Sequence, residues 1–152
     1  MTDHLDQLRR LVPQMMMGSP QARALKLQLV ELDAARATLR VPYAPELVGD
    51  PDTGVIAGGV VTTLLDHTCG QAVQAALDAF SQIATLDLRI DYLRAAQPGL
   101  DIEAHAHCYR VTRSVAFVRA SAYDREREDP VATAQAAFVL TPVGPRRSGE
   151  AA

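Results

Sequence analysis

The 152-residue chain has no surplus of positive charge, no long apolar run and only two cysteines. Each shortage removes a class of protein. Lys and Arg number 15 against 18 Asp and Glu, for a net charge of -3 with both signs mixed along the chain, so no broad basic surface follows a nucleic-acid backbone. No stretch is apolar over the ~20 residues with which a helix crosses a bilayer, which argues against a membrane partner. Cys69 and Cys108 stand in otherwise apolar patterns, and two cysteines make no framework of the kind that small secreted domains need. They read as free thiols. The start, Met1-Thr2-Asp3-His4-Leu5-Asp6, lacks the basic segment and apolar run of a secretory signal, so a cytoplasmic location is expected. There is no internal repeat.

What remains is an ordinary globular composition, with 48% hydrophobic and 22% charged residues. That length and composition suit one core. We expect a single domain over 1–142 and a flexible tail over 143–152, where Gly144, Pro145, Arg146, Arg147 and Gly149 fall.

Leu5, Leu8, Leu11, Val12 and Met15 recur at helical spacing and predict an amphipathic helix ending near Gly18-Ser19-Pro20. Alternation over Ala24–Leu32 and again over Ala35–Val41 predicts two paired strands. Five glycines and prolines between Leu47 and Gly59 predict a loop. A helix follows over about Gly59–Ala79, with Val61, Leu65, Thr68, Ala72, Ala75 and Ala79 on one side and Thr63, Asp66, Gly70 and Gln74 on a more polar stripe. The rest alternates with period two. Thr85–Arg94 sets Leu86, Leu88, Ile90 and Tyr92 against Thr85, Asp87, Arg89 and Asp91, and Pro98-Gly99 makes a turn. Three further strands present small inward residues: Ala104 and Ala106, Ala116 to Ala122, and Ala132 to Ala136. Faces of that kind suit a sheet curled round one long helix, an α+β architecture. The charged run Asp124–Pro130 reads as a solvated hairpin loop.

Asp66 is the leading candidate for chemistry, because a carboxylate in a largely buried helix needs a compensating reason. Gly58-Gly59 lies about 10–12 Å away at the head of the same helix, where unpaired N–H groups and the helix dipole can stabilise an oxyanion.

Gly54-Val55-Ile56-Ala57-Gly58-Gly59-Val60-Val61-Thr62-Thr63-Leu64-Leu65-Asp66 with Gly70, followed by Ala84-Thr85-Leu86-Asp87-Leu88-Arg89-Ile90-Asp91-Tyr92-Leu93-Arg94, resembles the hotdog-fold thioesterases of the phenylacetate-degradation (PaaI-like) type. The likeness extends over about residues 25–140. It implies a long central helix wrapped by a curved antiparallel sheet, assembly as homodimer or homotetramer, and an acyl-coenzyme A substrate held at the subunit interface. It also implies hydrolysis of the thioester of an aryl or medium-chain acyl-CoA without a cofactor beyond the coenzyme A of the substrate. Asp66 is then nucleophile or general base, Thr85 holds the attacking water, and the Gly58 amide polarises the thioester carbonyl. Gly59 and Thr63 are expected to line the substrate site. Arg94, Arg110, Arg113 and Ser114, at or near strand ends, are expected at the coenzyme A end. The family usually has His where this chain has Ala57, and commonly Asn where it has Pro51. Those departures leave open a module on the same fold that binds acyl-CoA or another small ligand without catalysis.

Other conspicuous residues take plainer readings. His105 and His107 share a strand face with Glu103 but lack further ligands for a metal. His67 packs, Cys69 is an inert thiol, and Met15-Met16-Met17 fill core or cover an acyl pocket. If Leu86, Leu88 and Ile90 cover the helix, Thr85 points away from it. Thr85 would then serve the Asp66 of a second subunit.

Overall fold

The structure, a computed structural model, describes residues 2–141; the expected tail lies outside them. The elements run α1 (Thr2–Gly18), α2 (Pro20–Ala24), β1 (Gln28–Asp33), β2 (Arg36–Val41), a 3-10 turn (Pro45–Leu47), β3 (Val48–Asp50), β4 (Val55–Ile56), α3 (Gly58–Ala76), β5 (Gln82–Tyr92), β6 (Ile102–Val111), β7 (Val115–Tyr123) and β8 (Ala132–Thr141). Six strands form one antiparallel sheet in the order β1-β2-β6-β7-β8-β5, with α3 seated on its inner face.

The expected small-residue face is what lets α3 sit close. Ala37, Ala104, Ala106, Ala116, Ala122, Ala132, Ala134 and Ala136 are all buried beneath it. Against them α3 buries Val61, Leu64, Leu65, Thr68, Cys69, Ala72, Val73 and Ala75. Full burial of a leucine stabilises by about 2–3 kcal/mol, so Leu64 and Leu65, both at 0% exposure, hold this helix firmly. Thr68 satisfies its hydroxyl locally by donating to the Leu64 carbonyl at 2.6 Å. α1 docks at the far end of α3. There the His4 Nε2–H donates to the Gln74 carbonyl at 3.1 Å, while Leu5, Leu8, Val12 and Met16 are buried.

Several boundaries differ from the sequence expectation. The strand expected from Ala24 begins at Gln28, because Ser19 caps a second short helix whose first turn contains Pro20. Lys26, at φ 54, then turns the chain. The loop expected over 47–59 contains a small hairpin, β3 with β4, whose turn uses Gly54 at φ +76. α3 stops at Ala76, leaving Ala79 exposed beyond it, and Gln74 of the polar stripe is buried.

The largest correction is in β5. The strand begins at Gln82, and its pairing with β8 slips between Thr85 and Asp87, so that Thr85 faces Phe138 and Asp87 faces Ala137. Leu86 is the extra residue of a β-bulge and is 61% exposed. Beyond it Leu88, Ile90 and Tyr92 pair with Ala136, Ala134 and Ala132. Thr85 therefore shares the inner face with Leu88, Ile90 and Tyr92, and only Leu86 leaves it.

The charged run is not wholly solvated either. Asp124 keeps 2% of its side chain exposed and accepts two hydrogen bonds from Arg94, at 2.7 and 3.0 Å, and a third from the Gln97 amide at 2.8 Å. Arg94 also donates to the Asp129 carbonyl at 2.7 Å. The Arg94 guanidinium holds the Asp124 carboxyl down at about 2, against an ordinary 3.8. A carboxylate depressed in this way stabilises the fold above its unfolded pKa and ceases to do so as pH falls through the folded one. Asp124→Asn should cost about 3 kcal/mol at pH 7, the low end for a broken buried pair. In urea denaturation the gap between the variant and the native sequence should narrow as pH drops from 4 to about 2. A gap that stays constant with pH would refute this role.

Candidate active site

The head of α3 is built to leave donors open. Its N-cap is Ala57, in an extended conformation (φ -58, ψ 136), which offers no side-chain oxygen to the first turn. The amides of Gly58 and Gly59 stand where a helix supplies no acceptor, and both residues are exposed. The turn is nevertheless fixed. The Ala57 amide donates to the Leu47 carbonyl at 2.9 Å, and a Cβ on Gly49 would fall 2.9 Å from the Ala57 Cα, so only glycine permits that approach. From β5, the Tyr92 hydroxyl donates to the Gly58 carbonyl at 2.8 Å.

Asp66 lies eight residues on, half-buried on the flank of α3 that faces β5. The Thr85 hydroxyl donates to its Oδ1 at 2.8 Å. The expectation that Thr85 turns away from its own Asp66 is thus overturned, and the bulge at Leu86 is the reason. The threonine thus holds one of the two carboxylate oxygens of Asp66. Thr63, one turn earlier, returns its hydroxyl to the Gly59 carbonyl at 2.9 Å. Burial lowers the pKa of His67 below its ordinary 6.5, against the pull of Asp66, so its imidazole is neutral at pH 7. Burial pushes the Cys69 thiol up to about 12, which makes it the inert group expected.

Beside Asp66 a cleft of about 540 Å³ opens between α3 and the start of β5. Met15, Gly70, Phe80, Ile83 and Ala84 line it together with the polar Gln71, Gln74 and Gln82. A Cβ on Gly70 would meet Ile83 Cδ1 at 3.6 Å and Phe138 Cε1 at 3.7 Å, ordinary van der Waals contact, so a longer side chain there would press on Ile83 of the cleft lining. Phe80 is placed by Gln74, whose amide donates to the Ser81 carbonyl at 2.7 Å and accepts from the Ser81 amide at 3.3 Å.

The remaining expected residues divide. Arg94 is engaged by Asp124 and Asp129 and does not line the cleft. Arg110, Arg113 and Ser114 are exposed around the β6–β7 turn and do not line the cleft. The Ser114 carbonyl accepts from Leu140 at 2.8 Å, and Leu140 pairs with Ile83, so this turn lies at the sheet end where the cleft opens. Pro51 is exposed in the β3–β4 turn. His105 bonds to Thr38 at 3.0 Å, and among the described residues no group of three or more His, Cys, Asp or Glu is placed to hold a metal. Of the methionines, Met16 is core and Met15 reaches the cleft. The sequence reading missed the bond from Tyr92 to Gly58 and the cleft walls at Phe80 and Ile83. The one available signal was phase: Ile83 is apolar on odd numbering and Leu88, Ile90 and Tyr92 on even.

The family model of the thioesterase superfamily matches residues 53–131. The medium/long-chain acyl-CoA thioesterase YigI of Salmonella typhimurium is 28% identical over 149 residues, covering 89% of this chain and 95% of that protein. A Halobacterium salinarum protein named "Putative esterase VNG_1336C" is 37% identical over 86 residues, a match of 55% of this chain that spans about half of the relative's length, 56%. Among solved structures, a Pseudomonas aeruginosa protein is 38% identical at a TM-score of 0.78, covering 90% of this chain and 98% of that one. The PaaI protein of Escherichia coli, at 14% identity, covers 91% of this chain and 96% of its own and shares the fold at a TM-score of 0.79.

Proposed function

The chain belongs to the thioesterase superfamily and is a thioester hydrolase with the hotdog fold of PaaI-like members, and on this premise we propose that it hydrolyses acyl-coenzyme A carrying a medium-chain or aryl acyl group, with Asp66 as the base. The observation that carries the reading is the bond from Thr85 to Asp66 Oδ1 at 2.8 Å beside a cleft whose lining includes Met15, Phe80, Ile83 and Ala84.

In this reading the acyl group enters the cleft over Gly70. A water held between Asp66 Oδ2 and the Thr85 oxygen gives a proton to the carboxylate while its oxygen attacks the thioester carbon. The carbonyl becomes an oxyanion held by the Gly58 and Gly59 amides. Collapse breaks the C–S bond, and the sulfur leaves as coenzyme A after recovering the proton from Asp66. A thioester has a good leaving group, so no metal or cofactor enters the proposal. Arg110, Arg113 and Ser114 remain our candidates for the nucleotide end, and the cytoplasm for the place of reaction.

One helix cannot supply both parts to one carbonyl. Eight residues separate Gly58 from Asp66, about 12 Å along the axis. The reading therefore takes the glycine amides from a second copy of the chain. Among the described residues the outer edge of β5, eleven residues long, pairs with no strand and carries the exposed Leu86, which supports that edge as the place where two sheets join. A homodimer is the smallest competent assembly, and a homotetramer would repeat it.

A panel of acyl-CoA substrates assayed for thiol release tests the reading. Asp66→Asn should lower kcat at least 100-fold and Thr85→Ala about ten-fold, with little change in KM for either. Turnover unchanged in Asp66→Asn would reject this site. Gly70→Leu should cut kcat/KM at least ten-fold for octanoyl and aryl substrates, the cost of one or two displaced methylenes, and leave acetyl-CoA within about three-fold. Uniform loss across the panel would move the acyl group out of this cleft.

A further inference from the structure

We infer that Tyr92 is a positioning residue for the oxyanion donors at the head of α3, an inference that rests on the reading of that turn given above. The Gly58 carbonyl and the Gly59 N–H belong to one planar peptide unit. Whatever fixes the carbonyl also aims the N–H. The Tyr92 hydroxyl donates to that carbonyl at 2.8 Å, and the Thr62 hydroxyl lies 2.5 Å from the Tyr92 oxygen and 3.2 Å from the same carbonyl. With the tyrosine proton on Gly58, the threonine proton completes a chain from Thr62 to Tyr92 to the carbonyl. Such chains strengthen each member and draw electron density toward the oxygen, which leaves the Gly59 N–H a better donor to an anion.

The need for a clamp follows from the sequence. Two successive glycines are the loosest possible start of a helix, and Ala57 provides no cap. The Tyr92 ring packs over the turn, 3.7 Å from where a Cβ of Gly58 would stand. The same strand thus serves both parts of the site, placing Thr85 on Asp66 and Tyr92 on Gly58.

Tyr92→Phe keeps the ring and removes the bond. We expect kcat on the best acyl-CoA to fall about ten-fold with KM within two-fold, as for a group that acts only in the transition state. Thr62→Val should act in the same direction. The double variant should lose less than the product of the single losses, because both hydroxyls work through one carbonyl. In the ¹H–¹⁵N spectrum the Gly59 amide of Tyr92→Phe should shift and exchange faster with solvent, a readout that needs no turnover. The inference is overturned if that amide is unmoved, or if kcat holds while only the melting temperature falls. Failure of the acyl-CoA reading is separate: there Asp66→Asn would be silent, and the Gly59 amide would still decide for or against Tyr92.

Discussion

The seating of α3 on a floor of alanines is the constraint from which the rest follows. A floor of larger side chains would hold the helix further from the sheet, and neither contact from β5 would close. Because Ala134 and Ala136 are small and buried, the helix flank comes within hydrogen-bond reach of the neighbouring strand. The 2.8 Å contacts of Thr85 with Asp66 and of Tyr92 with Gly58 therefore depend on methyl groups that take no part in chemistry. Packing of this density also tolerates little change of volume, which ties the geometry of the site to the stability of the fold.

A second device is the single extra residue in β5. Without the bulge the alternation of Thr85–Tyr92 would run unbroken, and Thr85 would face outward whenever Tyr92 faced inward. Insertion of Leu86 brings both polar groups to the same face while keeping Leu88 and Ile90 on the core. The displaced leucine does not return to the interior. It stands exposed on the free edge of the sheet, where it offers apolar surface to a second copy. One bulge thus accounts for the local contact of Thr85 and for the exposed leucine on which the proposed composite site draws.

Much of this was legible in the chain. The inward alanines of β6, β7 and β8 gave the curled sheet and the spacing of Val61, Leu65, Thr68 and Ala72 gave the helix, while Asp66 and Gly58-Gly59 marked the candidate site on which the proposed function rests. The bulge was obscured because Thr85-Leu86-Asp87-Leu88-Arg89-Ile90 alternates perfectly; the change of phase shows in the sequence only at Ile83, and the pairing with β8 locates the slip. The ion pair of Arg94 escaped the sequence for a related reason: its partner Asp124 is 30 residues away, and a charged run gives no sign of which member turns inward. The short helix Pro20–Ala24 went unread between the end expected for α1 at Gly18-Ser19-Pro20 and the alternation from Ala24, although Ser19-Pro20 carries the cap and first-turn chemistry of a helix start.

The central claim is that a working site takes Asp66 and Thr85 from one copy and the amides of Gly58 and Gly59 from another. Proline suits the first position of a helix and lacks only the N–H, and the extended Ala57 is already compatible with it. Gly58→Pro therefore removes one donor and keeps the turn. After verified exchange of subunits between inactive Asp66→Asn and Gly58→Pro proteins, random pairing leaves about one quarter of all sites complete, and a corresponding share of thiol release should return. Exchange between Asp66→Asn and Thr85→Ala should return none, since both groups come from the same copy. Recovery in the second mixture and none in the first would contradict the account.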